Sequence, residues 1–442
     1  MRGFPTALIA SLLAASCAAA AELPAIVHRP AVDVYAQPEL DAEKIATLKR
    51  DAKVSVAAQQ GLWYQLLMPA GTPGYVRVND VRLQYADVEG GEANMRALLS
   101  GKAGEGRVTE TAGVRGIDES DLKSASFNAA QLKSMIGYRV DAPVAAGWAE
   151  EHGWQATKVA YAGEAKSSKD AGKSGKSSSS KGAKAVGSGL GSMIGGGLGS
   201  AIGGASKLIP KSESELEEEE LALGPEITGR ILGARPLWND AEAQRRVNLI
   251  GRWIASQSSR PELPWTFGVI DAPEVNAFAA PGGFILVTRG LYELVSSDSE
   301  LAAALSHEIT HCVQRDHYNV IRKQEAANVG KEVALSATDA GQDSLAGSYA
   351  RSYAEKHGAA IMLTSLDRKA EFHADEGAEY YLARAGFNPL ALYSLLQKLT
   401  ALGTDSPALA QLYKTHPSFD ARIDHIDERG FGPLEPYTMR EF

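Results

Sequence analysis

Ser297-Asp298-Ser299-Glu300-Leu301-Ala302-Ala303-Ala304-Leu305-Ser306-His307-Glu308-Ile309-Thr310-His311 is the stretch on which the reading of this chain turns. Ser297 followed three residues later by Glu300 is a capping-box signature, and the Ala/Leu-rich run behind it has high helix propensity. The pattern predicts a helix that carries His307 and His311 one turn apart on one face. Two imidazoles so spaced can point at a single ion from the same side. Glu308 is rotated about 100° from His307 on such a helix. It therefore stands beside an ion rather than on it, placed to take a proton from water there. Histidine pairs at this spacing also occur as plain core or surface residues, so the rest of the chain has to decide.

A catalytic zinc ion needs a third protein donor and one open position. Two candidates compete. His317 follows His311 by six residues, the third-histidine spacing of metzincins, but that arrangement needs glycine where this chain has Gln314. With Gln314 the helix is expected to continue and turn His317 away. The other candidate is Glu371, in the helix-compatible run Arg368-Lys369-Ala370-Glu371-Phe372-His373-Ala374-Asp375. Asp375 lies one turn beyond Glu371 on the same face, where its carboxylate can orient an imidazole bound to the ion. The turn argument favours Glu371. Cys312 and His373 sit next to these groups in sequence but off their faces, and Cys312 reads as a core thiol.

His-Glu-x-x-His followed by Glu-x-x-x-Asp resembles the HtpX/BepA-type zinc metalloendopeptidases, relatives of the CAAX prenyl proteases. Two further segments are similar to that family. One is Asn276-Ala277-Phe278-Ala279-Ala280-Pro281-Gly282-Gly283-Phe284-Ile285-Leu286-Val287-Thr288; the other is Thr415-His416-Pro417 with Arg422-Ile423 after it. The resemblance covers residues 224–430. It implies one zinc ion per subunit on His307, His311 and Glu371, with Glu308 as the base for hydrolysis of protein or peptide substrates. It also implies that the segment holding Asn276, Ala277, Phe278, Gly282 and Gly283 borders the substrate groove. His416 would lie near the metal, either as an oxyanion stabiliser or as a temporary fourth ligand that keeps the enzyme latent; a loop histidine before a proline is the plain alternative. Read from the residues, Pro281-Gly282 suits the central pair of a type II turn, so 275–288 is expected to be a hairpin.

Outward from this half, 442 residues are too many for one ordinary core and suggest two or three domains. Residues 25–85 read as a small all-β module. Val32-Asp33-Val34-Tyr35 and Lys53-Val54-Ser55-Val56 alternate, and a Gly61-to-Leu66 strand and a Tyr75-Val76-Arg77-Val78 strand flank a Pro/Gly turn cluster. The module resembles bacterial SH3-like domains, which implies a barrel that binds an envelope or cell-wall component; a barrel that only packs on its neighbour is the alternative. Residues 89–163 carry helical spacing at 118–123 and 129–136, read as short helices beside the barrel. The expected fold is thus multidomain: an SH3-like β-barrel and a mainly α-helical, α+β zincin metallopeptidase domain over 224–435.

Between them, 164–222 is a low-complexity linker with a Lys/Ser stretch, a glycine-rich block and a glutamate run. Gly187, Gly191, Gly195, Gly199 and Gly203 recur every fourth residue, so membrane contact through 185–206 is an alternative to a flexible linker. Residues 1–21 read as a signal peptide with cleavage after Ala21. Lipid attachment at Cys17 is the less favoured option. The expected location is the periplasm or the outer membrane of a bacterium. Only Cys17 and Cys312 are present, so removal of the signal leaves no intramolecular disulfide. A net charge of -9 gives no reason to expect nucleic-acid binding. Besides a peptidase of exported proteins, two other functions fit the modules: an amidase of cell-wall peptides, and a chaperone-like binding protein that uses the β module.

Overall fold

Alternating Val, Tyr and Leu residues between turn-forming Gly and Pro build seven strands at the N-terminal end of the computed structural model. The structure describes residues 23–69, 71–84, 119–164, 212–329, 345–357, 359–403, 406, 408–416 and 419–441. The expected signal peptide with Cys17 and the glycine-rich block lie outside the described residues. The strands are β1 (Leu23–Val27), β2 (Ala31–Tyr35), β3 (Lys44–Lys49), β4 (Lys53–Gln60), β5 (Trp63–Leu67), β6 (Pro73–Arg77) and β7 (Val81–Leu83). They form one antiparallel sheet in the order β3-β2-β6-β5-β4-β1-β7, with Val27, Val34, Tyr64, Leu66, Val76 and Val81 fully buried.

The expected closed barrel is not formed: β3 and β7 are edges of an open sheet. A side chain from the helical half takes up backbone groups at the β7 edge. Gln397 accepts from the Leu83 amide at 2.8 Å and donates to the carbonyls of Val78 and Val81 at 2.6 and 2.8 Å. Those backbone groups are thus satisfied without a closing strand.

The helices expected near 118–123 and 129–136 are α1 (Glu119–Ser124) and α2 (Ala129–Gly137), followed by α3 (Ala142–Glu151). The first two do not sit beside the sheet. Leu122, Leu132 and Met135 pack with Leu223, Ile227 and Ile231 of α4 (Glu213–Ala234). Most of the glutamates read as linker therefore begin a helix. Ser212 and Glu215 make a complete capping box at its start. Acidic side chains suit the positive end of the helix dipole, and the apolar i, i+4 spacing from Leu223 onward gives the helix a face to bury.

After α5 (Ala241–Ala255), three buried strands, β8 (Thr266–Ile270), β9 (Ala277–Ala280) and β10 (Phe284–Thr288), form a second sheet in the order β8-β10-β9. β9 and β10 are the expected hairpin, with Phe284 opposite Ala280. The turn holds three residues, and both Gly282 (φ 71°) and Gly283 (φ 86°) occupy the left-handed region that disfavours other residues. After α6 (Arg289–Leu294) comes α7 (Asp298–Gln314), whose side chains from Ser299 to Val313 are all buried. Ser297 caps α7 as expected, accepting from the Glu300 amide. Glu300, however, does not complete the box: its carboxylate accepts from the Ser296 amide and hydroxyl and pairs with Lys398 Nζ at 2.7 Å. The remaining helices are α8 (Asp316–Val329), α9 (Leu345–His357), α10 (Arg368–Arg384), α11 (Leu390–Ala401), α12 (Ala410–Thr415) and α13 (Phe419–Arg429). No helix among the described residues is long and apolar enough to cross a membrane.

Candidate metal centre

His307 and His311 lie one turn apart on α7, and Glu371 comes from the first turn of α10. The two helices approach closely because Gly377 faces Thr310: a Cβ at 377 would stand 2.4 Å from the Thr310 methyl. His416 follows α12 as its C-cap. One donor atom from each of His307, His311, Glu371 and His416 lies within 4.8 Å of the other three, and all four residues are buried.

The edges of this group are informative. His307 Nε2 is 3.1 Å from His311 Nε2, 3.4 Å from His416 Nδ1 and 3.6 Å from a Glu371 oxygen. His416 Nδ1 is 3.1 Å from Glu371 Oε1, and His311 Nε2 is 3.7 Å from the same oxygen. A tetrahedral ion with bonds of about 2.0–2.1 Å has donor–donor edges of roughly 3.3–3.4 Å. The donor set is therefore close to the size that one cation needs, with Glu371 offering its two oxygens to different neighbours.

The outer nitrogens explain why the Nε2 atoms face inward. His307 Nδ1 is 3.0 Å from Asp375 Oδ1, and His311 Nδ1 is 2.7 Å from Asp316 Oδ2. Each Nδ1–H donates to a carboxylate, which leaves the Nε2 lone pairs aimed at one another. Two such lone pairs 3.1 Å apart beside a buried carboxylate need a positive charge between them. Burial and the Arg422 guanidinium push the His307 imidazole down, but Asp375 and Glu371 outweigh them and raise it to about 9. Burial also works against ionisation of Glu371, yet His416, His307 and Arg422 hold its carboxyl well below the usual range.

Arg422, from α13, braces Asp375 and Glu371. Its Nε and one terminal nitrogen donate to the two Asp375 oxygens at 2.7 and 2.6 Å, and the other terminal nitrogen stands 3.2 Å from Glu371 Oε2. Glu308 is outside the group of four, as its rotation on the helix predicts. It is buried, one oxygen is 3.9 Å from His416 Nε2, and the other has no hydrogen-bond partner among the described residues.

His317 is not part of the group, though not for the expected reason. α7 does end, at Gln314, because Arg315 adopts the left-handed conformation (φ 59°) usually left to glycine. That turn brings Asp316 onto His311 and leaves the His317 ring centre 6.2 Å from the His311 ring. His317 is buried, and its imidazole is depressed to about 3 by burial and the neighbouring His311 and His416. Sequence reasoning missed Asp316, since a continuing helix would have pointed it elsewhere. It also gave no role to Arg422, whose partners are far away in the chain. Cys312 is a buried thiol donating to the Ala280 carbonyl at 3.4 Å.

Residues 241–430, which carry this donor group, match the profile of peptidase family M48. Among curated proteins, the chain is 27% identical over 213 residues to the beta-barrel assembly-enhancing protease of Escherichia coli (strain K12), covering 46% of this chain and 42% of that one. It is 31% identical over 183 residues to the mitochondrial metalloendopeptidase OMA1 of Schizosaccharomyces pombe, covering 41% and 51%. It is 28% identical over 166 residues to the metalloprotease LoiP of E. coli, covering 38% and 63%. The chain thus spans less than half the length of the assembly-enhancing protease that it matches.

Proposed function

We propose that this protein is a zinc-dependent metalloendopeptidase that hydrolyses peptide bonds in exported or envelope proteins, in the manner of a quality-control protease. The observation that carries the reading is a set of four buried nitrogen and oxygen donors within reach of one cation, with a glutamate beside it that has one oxygen unpartnered among the described residues. His307, His311 and Glu371 would hold one zinc ion per subunit. When bound, zinc would polarise the scissile carbonyl and make an attacking water acidic near neutral pH. Glu308 takes the proton of that water and delivers it to the leaving amine. Asp375, Asp316 and Arg422 keep the two imidazoles and Glu371 aimed at the ion.

The β9 edge supports an extended substrate. Ala277, Phe278, Ala279 and Ala280 pair with β10 on one side, and no strand among the described residues pairs with the other. A peptide can add there through backbone hydrogen bonds, which gives affinity with little sequence preference. Asn276, just before β9, has its side-chain oxygen and nitrogen both buried and without partners, suited to a substrate backbone group. Gly282 and Gly283 shape the other end of the strand.

His416 has two readings. Its Nδ1 stands 3.4 Å from His307 Nε2 and 3.1 Å from Glu371 Oε1, which supports a fourth ligand that closes the site and must swing away for turnover. The rival, an oxyanion stabiliser, would draw on its Nε2 beside Glu308.

Residues 25–85 are read as an SH3-like module for an envelope or cell-wall component, 224–435 as the peptidase of the soluble, exported HtpX/BepA-type branch, and 1–21 as its export signal. Zinc content and chelator-sensitive casein digestion, measured for wild type and Glu308→Gln, test the proposal. Glu308→Gln should keep the metal and lose about 10²–10⁴-fold in rate. Full proteolysis by that variant would refute the role of Glu308. Digestion of peptidoglycan instead of casein would favour the amidase, and neither activity the binding protein.

A further inference from the structure

Glu220, the last residue of the glutamate run, is fully buried on α4, and the chemistry above does not use it. Its carboxylate accepts from both terminal nitrogens of Arg260 at 2.8 Å each, from Arg315 Nε at 2.7 Å and from the Gly282 amide at 3.3 Å. Each donor leads to a part of the site. Arg260 also donates to the Cys312 carbonyl at 3.2 Å, at the C-terminal end of α7. Arg315 is the left-handed residue (φ 59°) that ends α7 and turns Asp316 onto His311 Nδ1. Gly282 belongs to the turn between β9 and β10. α4 presses on that turn directly, since a Cβ at Gly224 would stand 2.2 Å from the Pro281 carbonyl oxygen.

The left-handed conformation disfavours every residue that has a Cβ, so Arg315 needs to be held in it. Two cations also suit the negative end of the α7 dipole, provided that they stay there. Two carboxylates reach Arg315: Glu220 on Nε and Glu213 on a terminal nitrogen. The Glu213 side chain is half exposed, and a pair of that kind contributes little. Glu220 lies away from water, where charge interactions are screened far less. The hold on Arg315 therefore rests chiefly with Glu220.

Resting on the metallopeptidase reading, we infer that Glu220 is a positioning residue for the metal ligand His311. By engaging Arg315 it fixes the backbone turn that keeps the Asp316 carboxylate on His311 Nδ1. By engaging the Gly282 amide it ties the same helix end to the tip of the β9 edge. Glu220 does not touch the donor group; it acts on metal affinity through residues 315 and 316.

The experiment uses the full chain, stripped of metal, in competition for zinc with a chromogenic chelator. Glu220→Gln sets an NH2 group against donors and should weaken zinc binding about tenfold, the scale of a lost outer partner. Because the effect runs through Asp316, Glu220→Gln with Asp316→Asn should bind zinc within about twofold of Asp316→Asn alone. Adding Arg315→Gly to Glu220→Gln should restore most of the affinity, since glycine takes the left-handed conformation without support from a side chain. A second pair leaves the buried carboxylate in place. Arg315→Ala should bind zinc about fivefold more weakly than Arg315→Gly, although both lose the same contacts. Circular dichroism checks the fold, and the Arg315 pair decides the matter if Glu220→Gln unfolds. Wild-type zinc affinity in a folded Glu220→Gln overturns the inference while the metallopeptidase reading stands. So do losses that add in the double variant, and equal affinities for Arg315→Ala and Arg315→Gly. A wild type that binds no zinc removes the metal reading itself, and this inference with it.

Discussion

Replacing Asp375 with asparagine tests whether the carboxylates behind the histidines hold the metal. Asp375 accepts from His307 Nδ1–H and from two Arg422 nitrogens, and its side chain is 2% exposed. Asparagine removes the negative charge and brings an NH2 group that faces a donor whichever way the amide turns. His307 becomes a weaker ligand, and Arg422 keeps its contact with Glu371 and one hydrogen bond to the amide oxygen at 375 in place of two. Loss of such an outer partner costs about 10–100-fold in metal affinity, or roughly 1.4–2.8 kcal/mol. Asp316→Asn perturbs His311 through a single bond, and the Asp316 side chain is 18% exposed, so water can replace part of what is lost. The order expected is therefore a larger loss for Asp375→Asn than for Asp316→Asn. Competition for zinc against a chromogenic chelator at neutral pH measures both, with circular dichroism confirming the fold. Affinities unchanged within twofold, or the opposite order, would refute the reasoning.

Other outcomes follow from the same geometry. His416→Ala should raise the initial rate of casein cleavage while weakening zinc binding; a lower kcat with unchanged metal affinity would assign His416 to the oxyanion instead. Lys398→Met leaves the buried Glu300 carboxylate without its cation and should cost about 3 kcal/mol in urea unfolding, the low end for a broken buried pair because Ser296, Ser394 and Gln59 still donate to it. Adding Glu300→Leu should recover much of that loss. Burial pushes the Glu379 carboxyl up to about 8 despite its Arg429 partner. Since that exceeds the unfolded value near 4.3, the folded state binds the extra proton between those limits. Wild-type stability then falls with rising pH across that window by up to about 1.4 kcal/mol per unit and levels off above it. The Tm advantage of Glu379→Gln should grow from pH 5 to pH 8; an advantage independent of pH would contradict the shift.

Which features were legible in the sequence depends on how far apart the interacting groups lie. The α7 helix and the facing of His307 and His311 were local matters of propensity and period. So was the pairing of Glu371 with Asp375 on one face of α10. Convergence of the two helices rests on Gly377 against Thr310, which no local pattern announces. The end of α7 is set by an arginine in the left-handed position, which residue preference does not announce, and the contact of Asp316 with His311 depends on that turn. The glutamate run read as linker because charge suggested solvation, whereas Ser212 made it a helix start and Leu223, Ile227 and Ile231 gave it a burial face. The seven-stranded sheet stayed open because a glutamine distant in sequence took up backbone groups at its edge, a long-range event invisible to strand periodicity.

That glutamine has a practical meaning for anyone expressing the catalytic half alone. Gln397 gives up its partners if 23–84 is deleted, Glu300 loses the Gln59 amide, and Asp424 and Asp427 lose Arg82. A shortened clone starting near 212 would present raw helix surface where the sheet now rests, and should be less soluble and melt earlier. The smallest sensible unit for biochemistry therefore keeps both ends of the chain.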